Sequence, residues 1–210
     1  MASYRGHLAF SSALGVAYGA TGYWYLNLDW AAACLGAGMT ALGGLLPDLD
    51  SDSGVPIREL FGLLATITPF FLISRLHSKG LTSEQILVVL AGCYLLIRYV
   101  LRFLFQRMTV HRGMFHSIPA MFIAGLAVYL LHHGPNPLHR MYLAGGTMLG
   151  FLSHLVLDEL YSVNILGLRF KLNKYAGSAL KFFSPSVYAT LMTYTILGSM
   201  AYVAWLEWNA

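Results

Sequence analysis

Long apolar runs recur from one end of this chain to the other, and they restrict the folds open to it. They fall at about 7–27, 30–47, 58–75, 84–104, 117–132, 140–158 and 186–206. A hydrocarbon layer about 30 Å thick takes roughly 20 apolar residues of helix to cross. Inside that layer a helix is the only open-ended structure that satisfies its own backbone N–H and C=O groups. The expected fold is therefore all-α: a polytopic transmembrane helical bundle of about seven spans, forming a single domain over 1–210. Composition agrees, because only 10% of the residues are charged and 57% are hydrophobic, against about 25% charged in soluble domains. So few charges would not coat a water-soluble globule of this size, and no nucleic-acid partner is expected. The first run follows a basic residue as a signal peptide would, yet comparable runs follow it and no small-residue cleavage site interrupts it, so it reads as a retained first span. Cys34 and Cys93 lie inside apolar runs without zinc-type spacing and read as small buried residues.

The basic residues assign an orientation. Arg5, Arg58, Arg98, Arg102, Arg107, Arg112, Arg169, Lys171, Lys174 and Lys181 fall on the side of the N-terminus, and Arg75, Lys79 and Arg140 fall on the other. Basic loops stay on the cytoplasmic side, so the N-terminus is expected in the cytoplasm and, with an odd number of spans, the C-terminus outside. Arg98 and Arg102 lie in the last turns of the fourth run and must reach the interface along their alkyl stems. The long connection 159–185 contains Leu168-Arg169-Phe170-Lys171-Leu172, an alternation that suits a short strand or an interfacial basic element facing lipid phosphates.

Polar residues gather where this topology places the cytoplasmic ends of the spans. His7 opens the first run; Leu46-Pro47-Asp48-Leu49-Asp50-Ser51-Asp52 closes the second; His111-Arg112-Gly113-Met114-Phe115-His116-Ser117 precedes the fifth; and Ser153-His154-Leu155-Val156-Leu157-Asp158-Glu159 ends the sixth. Orientation was assigned from Lys and Arg alone, so this convergence of His and Asp is independent of it. His154 and Asp158 are four apart and share a helix face, and imidazole with carboxylate is a usual donor set for zinc, manganese or iron. Ionisable groups at membrane depth are costly, which makes them functional candidates. His77, His132, His133 and His139 fall in loops on the opposite side and are given no chemistry.

These motifs, with the early His7, resemble the YdjM-like family over nearly the whole chain, the His-Arg-Gly-x-x-His-Ser piece being the most specific part. The resemblance implies a bacterial inner-membrane, metal-dependent hydrolase with His and Asp metal ligands; one member of the family is LexA-regulated. Where the family often places a His after its acidic pair, this chain has Asp52 after Ser51.

The expected ligands of a divalent transition metal, zinc or manganese and one ion or two, are His7, Asp48, Asp50, His111, His116, His154 and Asp158. Seven donors exceed one tetrahedral ion, so either two ions share them or some serve as supporting partners. Arg112 is the candidate for developing negative charge, and Asp52 or Glu159 for the general base. Lys171, Lys174 and Ser117 are the candidates for holding a lipid or lipid-linked substrate, with phosphoester hydrolysis at the cytoplasmic face as the reaction. Two other readings are a transporter or metal-handling channel and a protein whose metal only staples helices. Polar residues confined to one face argue against a path across the membrane, and an open coordination position separates catalysis from stapling.

Overall fold

The computed structural model describes residues 3–50, 54–104, 114–132, 136–166, 169–172 and 180–209. These contain seven α-helices: α1 (Tyr4–Tyr25), α2 (Trp30–Gly43), α3 (Gly54–Ser78), α4 (Ser83–Leu95), α5 (Ile118–Leu131), α6 (Pro137–Ser162) and α7 (Val187–Trp208). A 3-10 turn, Leu46–Asp50, follows α2, and α4 runs on into a π-helical turn, Leu96–Leu101. Directly after α6 come two antiparallel strands, β1 (Val163–Leu166) and β2 (Arg169–Leu172), with Asn164 opposite Lys171. Arg169–Leu172 of the expected basic alternation thus forms one strand of a small two-stranded sheet.

Helix starts carry side chains that accept otherwise orphaned backbone N–H groups. Ser3 caps α1, Asp29 caps α2 and Ser186 caps α7. Thr82 and Gln85 cap each other's backbone at the start of α4.

The bundle is assembled around α1, α2, α5 and α6, with α3 and α4 paired beside them and α7 laid on α5. Small residues set the closest approaches. A Cβ on Gly150 of α6 would lie 1.9 Å from the Thr40 carbonyl oxygen of α2, and one on Gly15 of α1 would lie 2.4 Å from that of Ala37. Within lipid the apolar effect gives helices little reason to associate, so backbone proximity of this kind supplies much of the packing. Toward the other end Tyr18 and Tyr142 stack at 4.6 Å and exchange hydrogen bonds, each hydroxyl donating to the other's backbone carbonyl at 2.8 and 3.1 Å.

Among the described residues three helical stretches are long and apolar enough to cross a membrane: Ile57–Ser78, Ser83–Leu104 and Val187–Trp208. The other helices fall outside that group for two physical reasons. α2 and α5 have only 14 residues each. α1 and α6, with 22 and 26, turn polar side chains inward: His7 and Ser11 on α1, and Thr147, Ser153, His154 and Asp158 on α6 are all buried. α7 has no buried residue at all, as suits a helix facing lipid on most sides.

Two sequence expectations need correcting. Cys34, read as buried, is exposed on α2, because a lipid-facing surface has the same composition as a core. His77 and His139 lie in the last turn of α3 and the first turn of α6, not in loops; His132 follows α5 directly, its ring edge-on to Phe71.

Candidate metal centre

Five side chains expected as ligands meet at one end of the bundle. His7 comes from the second turn of α1, Asp48 from the 3-10 turn after α2, His116 from the segment entering α5, and His154 and Asp158 from the closing turns of α6. His7, His116, His154 and Asp158 are 3%, 2%, 1% and 3% exposed. The Asp48 side chain, in the 3-10 turn, is the more open one at 19%.

Local structure fixes this meeting. Ser11, one turn after His7, donates to the Ala41 carbonyl at 3.1 Å and ties α1 to the end of α2. Gly44 sits where a Cβ would lie 2.2 Å from that of Ser11; it lets the chain leave α2 tightly packed, so that Pro47 and Asp48 follow directly. On α6, helical spacing puts His154 and Asp158 one above the other.

His154 is the hub. Its Nδ1 lies 2.7 Å from the Gly44 carbonyl oxygen; a carbonyl only accepts, so Nδ1 carries a proton, and in the neutral ring Nε2 then keeps its lone pair. Nε2 has no hydrogen-bond partner and lies 3.7 Å from Asp48 Oδ1 and 3.8 Å from Asp158 Oδ2. Asp158 Oδ1 is 3.3 Å from His7 Nε2. The His7 and His154 rings stack at 3.6 Å and 11°, and His116 stands edge-on to His154 at 5.6 Å.

A buried nitrogen lone pair within 3.8 Å of two carboxylate oxygens, one of them buried and one half-open, is an arrangement of mutual repulsion unless a cation lies between them. Donors about 2.1 Å from one ion lie roughly 3.0–3.4 Å apart, and the observed separations begin in that range. A hydrogen bond from the far ring nitrogen to a backbone carbonyl is the usual support for a metal-binding imidazole. Donor type, burial and orientation therefore fit a divalent transition metal. Two donor triads, His7-His154-Asp158 and Asp48-His116-His154, each gather within 4.8 Å.

The remaining expected site residues are placed otherwise. Ser117, expected to touch substrate, is fully buried; its hydroxyl accepts from Ala120 N and donates to the Met114 carbonyl, so it serves as the N-cap of α5. Glu159 is half-buried and, one residue past Asp158, points about 100° around the helix, outside both triads. Asp50 and Lys171 have described backbone only, in the 3-10 turn and in β2. Asp52, His111, Arg112 and Lys174 lie outside the described residues.

Two features had escaped the sequence reading. The Gly44 carbonyl is a backbone atom and has no residue signature. At the opposite end of the bundle Arg140 is buried, donates to the Tyr129 carbonyl and pairs with Glu207; Arg75 also reaches Glu207, at 3.5 Å, and the Leu130 carbonyl, at 3.2 Å. Charge excess alone had marked these arginines as topology signals, and nothing local predicts a partner 67 residues away.

No curated protein sequence and no solved structure matches the chain. A family model described as YdjM inner membrane protein matches residues 1–207. With that match covering nearly the whole length of a helical bundle of this composition, the chain belongs to the YdjM inner membrane protein family.

Proposed function

We propose that this inner-membrane protein is a metal-dependent hydrolase that cleaves a phosphoester of a lipid or lipid-linked substrate at the cytoplasmic face. The observation that carries the proposal is the nearly sealed His154 Nε2, held by the Gly44 carbonyl on its far side and facing Asp48 and Asp158. His154, Asp48, His116, Asp158 and His7 are the described residues that would hold the metal. When bound, a divalent ion supplies Lewis acidity toward a phosphoryl oxygen and a water nucleophile at neutral pH.

The chain's own groups take the other tasks. The Gly44 carbonyl keeps His154 in one tautomer and one orientation. Asp48, the most open of the five, borders the entrance. Arg112 is proposed to face the charge that develops on phosphoryl oxygens, and Asp52, rather than the outward-turned Glu159, to take the proton of the attacking water. Lys171 in β2 and Lys174 are proposed to hold the headgroup phosphate, since the hairpin starts where α6 leaves the site.

Helix length supports a membrane-borne substrate. At about 1.5 Å per residue, the 14-residue helices α2 and α5 are roughly 21 Å long, against about 30 Å of hydrocarbon. Both have their site-side ends at the cluster. A short span draws the bilayer surface toward it, which brings headgroups down to the donor set without lifting a lipid out.

The test is metal content and turnover of purified protein on a panel of phospholipid and polyprenyl phosphoesters. His154→Ala and Asp158→Ala are each expected to lose metal and activity, while His132→Ala and His133→Ala keep both. Wild-type protein with stoichiometric metal but no turnover across phosphoester, carboxylester and amide lipids would favour a helix-stapling metal; no metal would remove the reading altogether.

A further inference from the structure

The metal reading leaves open how the donors are divided, and the ring geometry bears on that division. A nitrogen lone pair lies in the plane of its imidazole. The His7 and His154 rings are nearly parallel, 11° apart, with centroids 3.6 Å apart. An ion in the plane of one ring therefore sits roughly 3 Å or more off the plane of the other, beyond a metal–imidazole bond of about 2.1 Å. The two imidazoles are not arranged to bind the same ion.

A hydrogen bond from His7 to Asp158 accounts poorly for the pair. Charge-assisted N–H···O bonds run to about 2.7–2.9 Å. The His7 Nε2–Asp158 Oδ1 separation is 3.3 Å, and Oδ1 makes no hydrogen bond. The separation does match two donors on one ion. Across the same carboxylate, Oδ2 faces His154 Nε2 at 3.8 Å. Asp158 thus presents one oxygen to each of two stacked rings.

Resting on the metal reading, we propose that these residues hold two ions, with Asp158 bridging them. His7 and Asp158 Oδ1 serve one ion; Asp48, His116 and His154 serve the other, with Asp158 Oδ2 turned toward it on the His154 side. The two positions are unequal. The His154 position has three donors gathered within 4.8 Å, and its imidazole is fixed by the Gly44 carbonyl at 2.7 Å. The His7 position has two donors among the described residues, and the far nitrogen of His7, Nδ1, has no partner. The stack on His154 is what orients the His7 ring, so this position holds its ion more weakly. A pair of ions also suits an in-line displacement at phosphorus, where attacking and leaving oxygens both need charge stabilisation.

The experiment loads purified, detergent-solubilised protein with Mn(II) and reads bound equivalents and the EPR spectrum. His7→Phe is the informative variant, because it keeps an aromatic ring against His154 while removing both nitrogens. Wild type is expected to bind two equivalents in two steps, the second at least tenfold weaker, with an exchange-coupled EPR signal at saturation. His7→Phe should bind one equivalent, retain the tighter step within a few-fold, and give an uncoupled signal. One equivalent in wild type would overturn the division and leave the metal reading standing. Two equivalents, or none, in a folded His7→Phe would also overturn it. A wild type that binds no Mn(II) and contains no other metal as isolated would overturn the metal reading itself.

Discussion

His154 shows how few contacts define a site residue. Its ring is fixed on one side by the Gly44 carbonyl, stacked by His7, met edge-on by His116 and faced by two carboxylates. The neighbours come from α1, the stretch after α2, the entry to α5 and α6 itself, so a change in any of these segments is felt at Nε2. Arg112 poses a different question at the same scale, since a permanent cation between His111 and His116 in the sequence weakens metal binding by repulsion unless an anion arrives. Arg112→Lys keeps the charge but loses the planar fork that matches phosphate oxygens. The expected result is normal expression and metal content with turnover lowered about a hundredfold, on the order of 3 kcal/mol of transition-state stabilisation. Unchanged turnover in steady-state assays would return Arg112 to the topology signals. Of the residues around the cluster, His154 and Asp158 were legible because i, i+4 spacing on a helix is a local rule. Ser117 was misread because a hydroxyl beside a ligand motif looks the same in sequence whether it meets substrate or caps the helix that follows.

At the scale of elements, α2 and α6 are held by backbone contact. Gly150 packs on Thr40, and Gly43 on Thr147, with a Cβ on either meeting a carbonyl oxygen at 1.9 or 2.2 Å. Backbone does not yield as a flexible side chain does. Gly150→Ala is therefore expected to push α6 from α2, destabilising the protein by roughly 1–3 kcal/mol and loosening the cluster one turn away. Thermal unfolding in detergent should show a lowered midpoint, and metal affinity should fall with it; an unchanged midpoint would mean that the two helices adjust freely. Helix number and approximate bounds were legible here, because lipid imposes a length on each apolar run. Pairings were not. The Tyr18–Tyr142 lock joins residues 124 apart, and Arg140 finds Glu207 from the other end of the chain's second half. Neither has a signature shorter than the fold itself.

For the whole molecule, polarity is segregated by end. The His and Asp cluster occupies one end of the bundle, while Arg75, Arg140 and Glu207 tie α3, α5, α6 and α7 at the other. The topology read from the sequence puts ten of the thirteen basic residues on the side of the N-terminus, which predicts a cytoplasmic tag before α1 and an external tag after α7. Reporter fusions at both ends check this, and both reporting the same side would mean that one helix does not cross.

The cluster draws on α1, the turn after α2, the entry to α5 and the end of α6, and this has a consequence for biosynthesis. During synthesis His7 leaves the ribosome about 150 residues before Asp158. Five helices are made before the sixth brings His154 and Asp158 to the donors already there. Until then an inward-facing histidine has neither its stacking partner nor its carboxylate, and α1 and α6 are among the less hydrophobic of the spans. Arrival of α6 is therefore the step that completes the cluster, and under the proposed metal reading ion capture at that moment would hold an otherwise marginal helix in place.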